Sequence, residues 1–249
     1  MMRRAVVRVS LFIPCLTDQV FPATGMNMVR VLERLGLTVS YDTRQTCCGQ
    51  PAFNSGYHAE SRQLAERFLD IFDDDGTDYI VVPSGSCASM VMVFYGNLLE
   101  LAPEYREKAA RVRRRMHEFT SFLVDVLHVD DVGAAFSATV TVHDSCHALR
   151  ELHIKEQPRR LLRRVRGLDL IEMDAAEVCC GFGGTFAVKH ADISSVMAEE
   201  KVQSIVRSGA EVVTGVDSSC LMNIDGVLRR QGLPVRTMHI ADILAMEAR

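Results

Sequence analysis

Tryptophan is absent from the 249 residues, and aromatic side chains together make up 6% of them. The chain has little with which to stack nucleobases, so nucleic acid is not an expected ligand. A strong excess of charge is missing too. The formal net charge of −4 at pH 7 gives no general attraction for polyanions or anionic membranes. No apolar run approaches the ~18 residues of a membrane-spanning helix, so membrane insertion is not expected. The opening MMRRAVVRVSLFIPC looks faintly like a secretory signal. However, Arg8 interrupts its apolar stretch, no small-residue cleavage site follows, and Pro14 before Cys15 does not suit a lipoprotein signal. The expected location is the cytoplasm, where thiols stay reduced and clustered cysteines bind metal more often than they form disulfides. Short Cys-x(2–4)-Cys knuckles, the usual mark of structural zinc, are missing. The glycine-rich Gly181-Phe182-Gly183-Gly184 lacks the Lys-Ser/Thr ending of a phosphate loop and the spacing of a dinucleotide fingerprint.

What the chain does have is eight cysteines in a duplicated pattern. Cys47-Cys48-Gly49 lies between Cys15 and Cys87, and Cys179-Cys180-Gly181 lies between Cys146 and Cys220. The intervals nearly match: 32 and 33 positions before the triplet, 39 and 40 after it. Such self-similarity reads as a duplicated cysteine framework. An apolar fraction of 48% supports a substantial core, and the length suits two modules of about 120 residues each. The expected division is residues 1–137, including a helical connector, and 138–249. Adjacent Cα atoms are about 3.8 Å apart, short of the ~4.4 Å an unstrained disulfide needs, so each vicinal pair suits metal ligation better than a bridge.

Hydrophobic patterning predicts strands at 5–12, 38–41 and 79–82 in the first half and at 139–142, 168–172, 211–215 and 235–238 in the second. Helices are predicted at 24–35, 58–72, 156–165 and 192–207, with another after Cys87, one after Cys220 and one at the C-terminus. Residues 103–136 read as a connector, helical over 118–127. Its arginine run at 111–115 and the acidic Asp73-Asp74-Asp75-Gly76 turn both read as solvated. The fold class is therefore α/β: two pseudo-symmetric Rossmann-like modules with parallel sheets. Each cysteine follows a strand, and in a parallel sheet such loops gather at the carboxyl edge, where ligands bind.

Four convergent thiolates suit an iron–sulfur cluster or a zinc ion, and a cluster with several irons accepts adjacent cysteines without strain. The metal-ligand candidates are Cys15, Cys47, Cys48, Cys87, Cys146, Cys179, Cys180 and Cys220. Gly49, Gly181, Gly183 and Gly184 let backbone N–H groups approach the sulfurs, and helices beginning just after Cys87 and Cys220 would point their positive ends at an anionic centre. His143 and His147 flank Cys146 and are candidates to bond cluster sulfurs. His117, His239, His190 and Lys189 are weaker candidates, read first as packing or loop residues.

The doubled pattern resembles the cysteine-rich CCG family, which includes a heterodisulfide reductase component and the glycolate oxidase iron–sulfur component. The segments CCGQPAFNSGY, PSGSC, TSFLVDVL, CCGFGGTF and MHIADIL are similar to its lactate-utilization members. The resemblance implies an iron–sulfur redox subunit, catalytic or not, of an L-lactate oxidoreductase system that makes pyruvate. Its implied partners are other lactate-utilization iron–sulfur subunits, with L-lactate bound here or on a partner. The family motif ends in Cys-x-x-Cys, whereas Ser84 and Asp217 stand at the first of those positions here. Four cysteines per half imply an ordinary 4Fe–4S cluster in each rather than a five-thiolate centre, with Ser84 or Asp217 able to supply an oxygen. Two alternatives stay open from the residues alone: a structural zinc-binding interaction module, and a thiol redox sensor using the vicinal pairs.

Overall fold

Strands β1 (Arg8–Leu11) and β3 (Tyr79–Val82) are short and, beyond the first residue of each, buried, as central parallel strands covered by helices on both faces must be. They form the middle of a four-stranded all-parallel sheet of order β2-β1-β3-β4, with β2 at Thr38–Tyr41 and β4 at Met116–Glu118. The second half repeats this as β6-β5-β7-β8, from β5 (Ala135–Val142), β6 (Arg166–Leu170), β7 (Val212–Gly215) and β8 (Arg236–His239). The computed structural model describes residues 7–98 and 103–247. The first two residues of the strand expected at 5–12 lie outside that range. The α/β reading with two twinned parallel sheets holds.

The fourth strand of the first sheet was not expected. Residues 103–136, read as a plain connector, contain the helix Pro103–Arg115 and then β4, whose three residues are too few to show a two-residue period. The helix expected over 118–127 begins at Phe119. Glu118 instead caps it, its carboxylate accepting from Thr120 N at 2.9 Å and Ser121 N at 3.1 Å. Met116-His117 and Met238-His239 occupy equivalent edge strands, pairing with β3 and β7. The arginine run and the acidic turn are partners rather than independently solvated: Arg111 bonds Asp73 at 2.7 and 2.8 Å, and Arg115 reaches Asp75. Arg159, on the helix expected at 156–165, is buried against Asp144.

One hydrophobic core runs through both halves. Val9, Leu11, Val31 and Leu32 pack in the same cluster as Val140, Val142, Ile240 and Ile243. Helix Pro22–Arg34 lies along helix Ile240–Ala245, with Thr24 and Asn27 donating to Asp242 at 3.1 and 2.9 Å. Separate smaller clusters fill the outer side of each sheet. The sheets meet at their carboxyl edges. Ser84 and Asp217 form an antiparallel bridge, Gly85 N donates to Val216 O at 3.2 Å, and Gly85 lies against Ala148. A Cβ at residue 85 would sit 2.5 Å from the Ala148 Cβ. Gly85→Ala is therefore expected to destabilise the protein by about 1–3 kcal/mol, as overpacking does, read as a fall in denaturant midpoint.

Candidate metal centre

The cysteines sit where strands end and helices begin. Cys15 and Cys146 are the first residues of helices Cys15–Val20 and Cys146–Arg150. Cys87 and Cys220 are each the third residue of a helix, Gly85–Ser89 and Ser218–Arg230, so those helices start before the cysteines and not after them. The vicinal pairs lie in the loops after β2 and β6. In both triplets the glycine has a left-handed backbone, φ 86° at Gly49 and 84° at Gly181. Gly49 packs under helix His58–Phe72 and Gly181 under helix Ala191–Ser208, where a Cβ at residue 181 would lie 2.7 Å from Ser194 O. Glycine is thus required twice over, for its φ and for its bare surface.

All eight cysteines line a single cavity of about 330 Å³ between the halves. The expectation was a separate centre at each sheet edge. Because the two edges face each other, both quartets open onto one space. Within the first quartet, the Cys48 and Cys87 sulfurs are 3.5 Å apart. Gly49 N donates to Cys47 Sγ and Gly181 N to Cys179 Sγ, both at 3.4 Å. Gly183 and Gly184 make no such bond; they line the cavity and turn the chain into helix Phe186–Lys189. Asn223 Nδ2 fixes the Cys180 carbonyl at 2.8 Å, and Tyr95 Oη fixes the Cys48 carbonyl at 2.9 Å. At the rim, Ser55 and Thr185 hydroxyls lie 2.7 Å apart across the two halves.

The thiols share protons. Cys47 accepts from Cys15 and Cys48, with further help from the Gly49 N–H, and its pKa falls to about 3. Cys179 likewise accepts from Cys146 and Cys180, with Gly181 N–H behind them, and falls to about 2. The donors Cys15 and Cys146 are pushed up by those same bonds and then by burial. Cys48 and Cys180 are pushed up in the same way. Each quartet so prepares one thiolate and holds protons on its neighbours.

His143 is buried behind Cys180 and Cys220, its donor atoms and theirs lying within 4.8 Å of one another. Burial first, then the Lys201 charge, lowers its pKa to about 3, so the ring is neutral. His147 lines the cavity, with Nδ1 3.3 Å from Glu151 Oε2. His239 caps its helix by accepting from Ala241 N, and His117 packs between Tyr79 and Phe122. None of His239, His117, Lys189 and His190 lines the cavity. Ser84 and Asp217 do line it, but their oxygens are engaged with the protein. Asp217 accepts from Ser84 Oγ, Ser86 Oγ and Ser145 Oγ, each at 2.7 Å, and from Ser86 N at 3.1 Å. Ser84 Oγ also caps Cys87 N at 3.2 Å. Ser86, Ser145 and the buried Lys201 escaped the sequence reading. Lys201 had a signal, a lysine in the inward stripe Ala198, Val202, Ile205.

Comparison with known proteins agrees with this geometry. Residues 9–92 and 140–225 match the cysteine-rich CCG domain, one copy in each half. The chain belongs to the CCG family. "Lactate utilization protein A" from an Exiguobacterium species is 49% identical over 236 residues, covering 95% of this chain and 96% of that protein. "Lactate utilization protein A 1" from Bacillus mycoides is 45% identical over 238 residues, covering 96% of each. Among solved structures, a putative Asp/Glu racemase from Yersinia pestis covers 96% of both chains at 10% identity, but its TM-score of 0.39 carries no argument. Among the described residues of this CCG protein, no helix is long and apolar enough to cross a membrane.

Two outcomes are expected. Metal uptake must displace protons from the thiols held high, so apparent metal affinity should rise with pH between about 6 and 8, measured by competition with a chelator of known pH dependence. Asp217→Ala should cost about 3 kcal/mol of stability, because the buried Ser84 and Ser145 hydroxyls and the half-buried Ser86 hydroxyl lose their acceptor, whereas Ser145→Ala should cost about 1 kcal/mol, both from urea unfolding.

Proposed function

We propose that this CCG protein is an iron–sulfur redox subunit of a system that oxidises L-lactate to pyruvate. Its residues 1–137 would hold one centre through Cys15, Cys47, Cys48 and Cys87. Residues 138–249 would hold the other through Cys146, Cys179, Cys180 and Cys220. The observation that carries the reading is the opening of both quartets onto one cavity. The names of the relatives supply the substrate class. The donor set fits: four thiols per quartet with a backbone N–H already directed at one sulfur in each. Four ligands suit a 4Fe–4S cluster better than a five-thiolate centre, since Ser84 and Asp217 are bonded to each other.

When bound, such clusters supply one-electron transfer, and two of them match the two electrons that leave a 2-hydroxy acid as it becomes a keto acid with loss of two protons. The chain's own residues have defined tasks. Gly49 and Gly181 stabilise negative charge on sulfur, and burial shields Cys48, Cys180 and Cys220 from bulk water. His147 and Gln50 line the cavity wall as polar groups. Partners are other iron–sulfur subunits of lactate utilization, in the cytoplasm.

Zinc is a second reading, favoured by the approach of His143 to Cys180 and Cys220, a mixed nitrogen and sulfur donor set. Iron, acid-labile sulfide and zinc determination on anaerobically purified protein decides between them. Brown protein containing iron and sulfide is expected; colourless protein with about one zinc per module would replace the first reading by the second. Cys179→Ser is expected to lower iron content by about half while sparing the first module, and unchanged iron would count against ligation there.

A further inference from the structure

The quartets are twins, but what stands behind them differs. Phe12 and His143 are equivalent: each lies three residues before the first cysteine of its quartet. Their backbone N–H groups make matching bonds, to Val81 O at 3.0 Å and Thr214 O at 2.8 Å. Helices His58–Phe72 and Ala191–Ser208 are equivalent as well. Ser61 and Ser194 lie against the triplet glycines. At the same intervals beyond them Ala65 and Ala198, Leu69 and Val202, and Phe72 and Ile205 are buried. That register sets Lys201 at the place of Phe68.

In the first module these two places hold rings. Phe12 and Phe68 meet edge to face at 4.8 Å, and Tyr95 closes on Phe68 at 5.7 Å. In the second they hold an imidazole and an ammonium, 3% exposed or less. Lys201 Nζ donates to the Ala175 and Ala176 carbonyls just ahead of Cys179. It makes no salt bridge among the described residues. Asp144, the buried carboxylate in its surroundings, is held by Arg159 through bonds of 2.7 and 2.9 Å. Both His143 ring nitrogens are buried without a partner. A buried cation with no protein anion of its own, beside thiolate-rich chemistry, is costly unless the neighbouring site carries negative charge.

We propose that Lys201, with His143 beside it, gives the centre of the second quartet a higher reduction potential than the first, so that electrons gather in the second module. This rests on the iron–sulfur reading above. Reduction adds one negative charge to a thiolate-held centre, and a fixed positive charge in a low-dielectric surround stabilises that added electron. At the equivalent places the first module has Phe12 and Phe68, which carry no charge. One electron then passes from the first centre to the second: the first is oxidised, the second reduced, and no bond or proton changes. Lys201 acts through the field at the sulfurs and is a positioning residue.

The test is an anaerobic redox titration of the full-length protein followed by EPR. Wild-type protein should show two separate reduction waves, and Cys220→Ser should remove the higher one. Lys201→Met should move that wave down towards the lower one and leave the lower in place, while Lys201→Arg should keep the separation. His143→Phe, which copies the first module, should also move the higher wave down. Coincident waves in the wild type, loss of the lower wave in Cys220→Ser, or an unmoved higher wave in an iron-loaded Lys201→Met variant would overturn the proposal. Even if Lys201→Met fails to fold, the wild-type and Cys220→Ser titrations can overturn the proposal, and His143→Phe and Lys201→Arg still read the cause. Protein that takes up no iron and sulfide overturns the iron–sulfur reading itself, whereas loaded protein with coincident waves overturns this inference alone.

Discussion

A single buried carboxylate holds the two sheets edge to edge. Asp217 is 2% exposed, and its two oxygens accept four hydrogen bonds, from Ser84, Ser145 and both donors of Ser86. A charge so far from water is tolerable only when every lone pair is engaged. Three of the four donated bonds come from the first module, so satisfying the charge requires the modules to meet here. Asp217 sits at the N-cap of its own helix but does not cap it, because its oxygens point across to the other module. Ser84, its counterpart, does cap its helix. With the edges drawn together, Gly85 reaches Ala148, and the cysteine loops of both sheets open onto one cavity.

Around that cavity the two modules share a scaffold and divide on chemistry. The backbone of each triplet is set the same way: glycine left-handed, N–H on the first sulfur, second carbonyl tied from the helix that carries the last cysteine or its continuation. That last tie is made by Tyr95 in one module and Asn223 in the other, from different helical positions. Backbone geometry is thus kept while side chains are exchanged. The exchanges at Phe12/His143 and Phe68/Lys201 go further, because they replace apolar surface with buried polarity beside sulfur. Pseudo-symmetry here places two similar sites and leaves their electrostatics free to differ.

Much of the fold was legible in the sequence because short β-branched and apolar stretches, the central ones buried, alternate with segments of helical period. The strands at Thr38–Tyr41 and Tyr79–Val82 and the helix His58–Phe72 fall where patterning put them. Three-residue β4 did not, since so short a segment carries no period, and its pairing with β3 is a long-range matter. The same holds for the arginine run: spacing along the chain says nothing of the Asp73 and Asp75 carboxylates that Arg111 and Arg115 meet.

The sequence by itself determined that sulfur donors recur in two matched sets and that each set follows parallel strands. Residue type and interval are local properties, and the carboxyl-edge rule converts them into convergence within a sheet. Only the tertiary structure decided that the sets share one cavity, that Ser84 and Asp217 bond each other, and that a lysine stands where its twin helix has a phenylalanine. Those facts depend on how one sheet is turned towards the other and on which helical face packs inward. Both are settled by burying apolar surface and satisfying Asp217 across the interface, between residues more than a hundred positions apart.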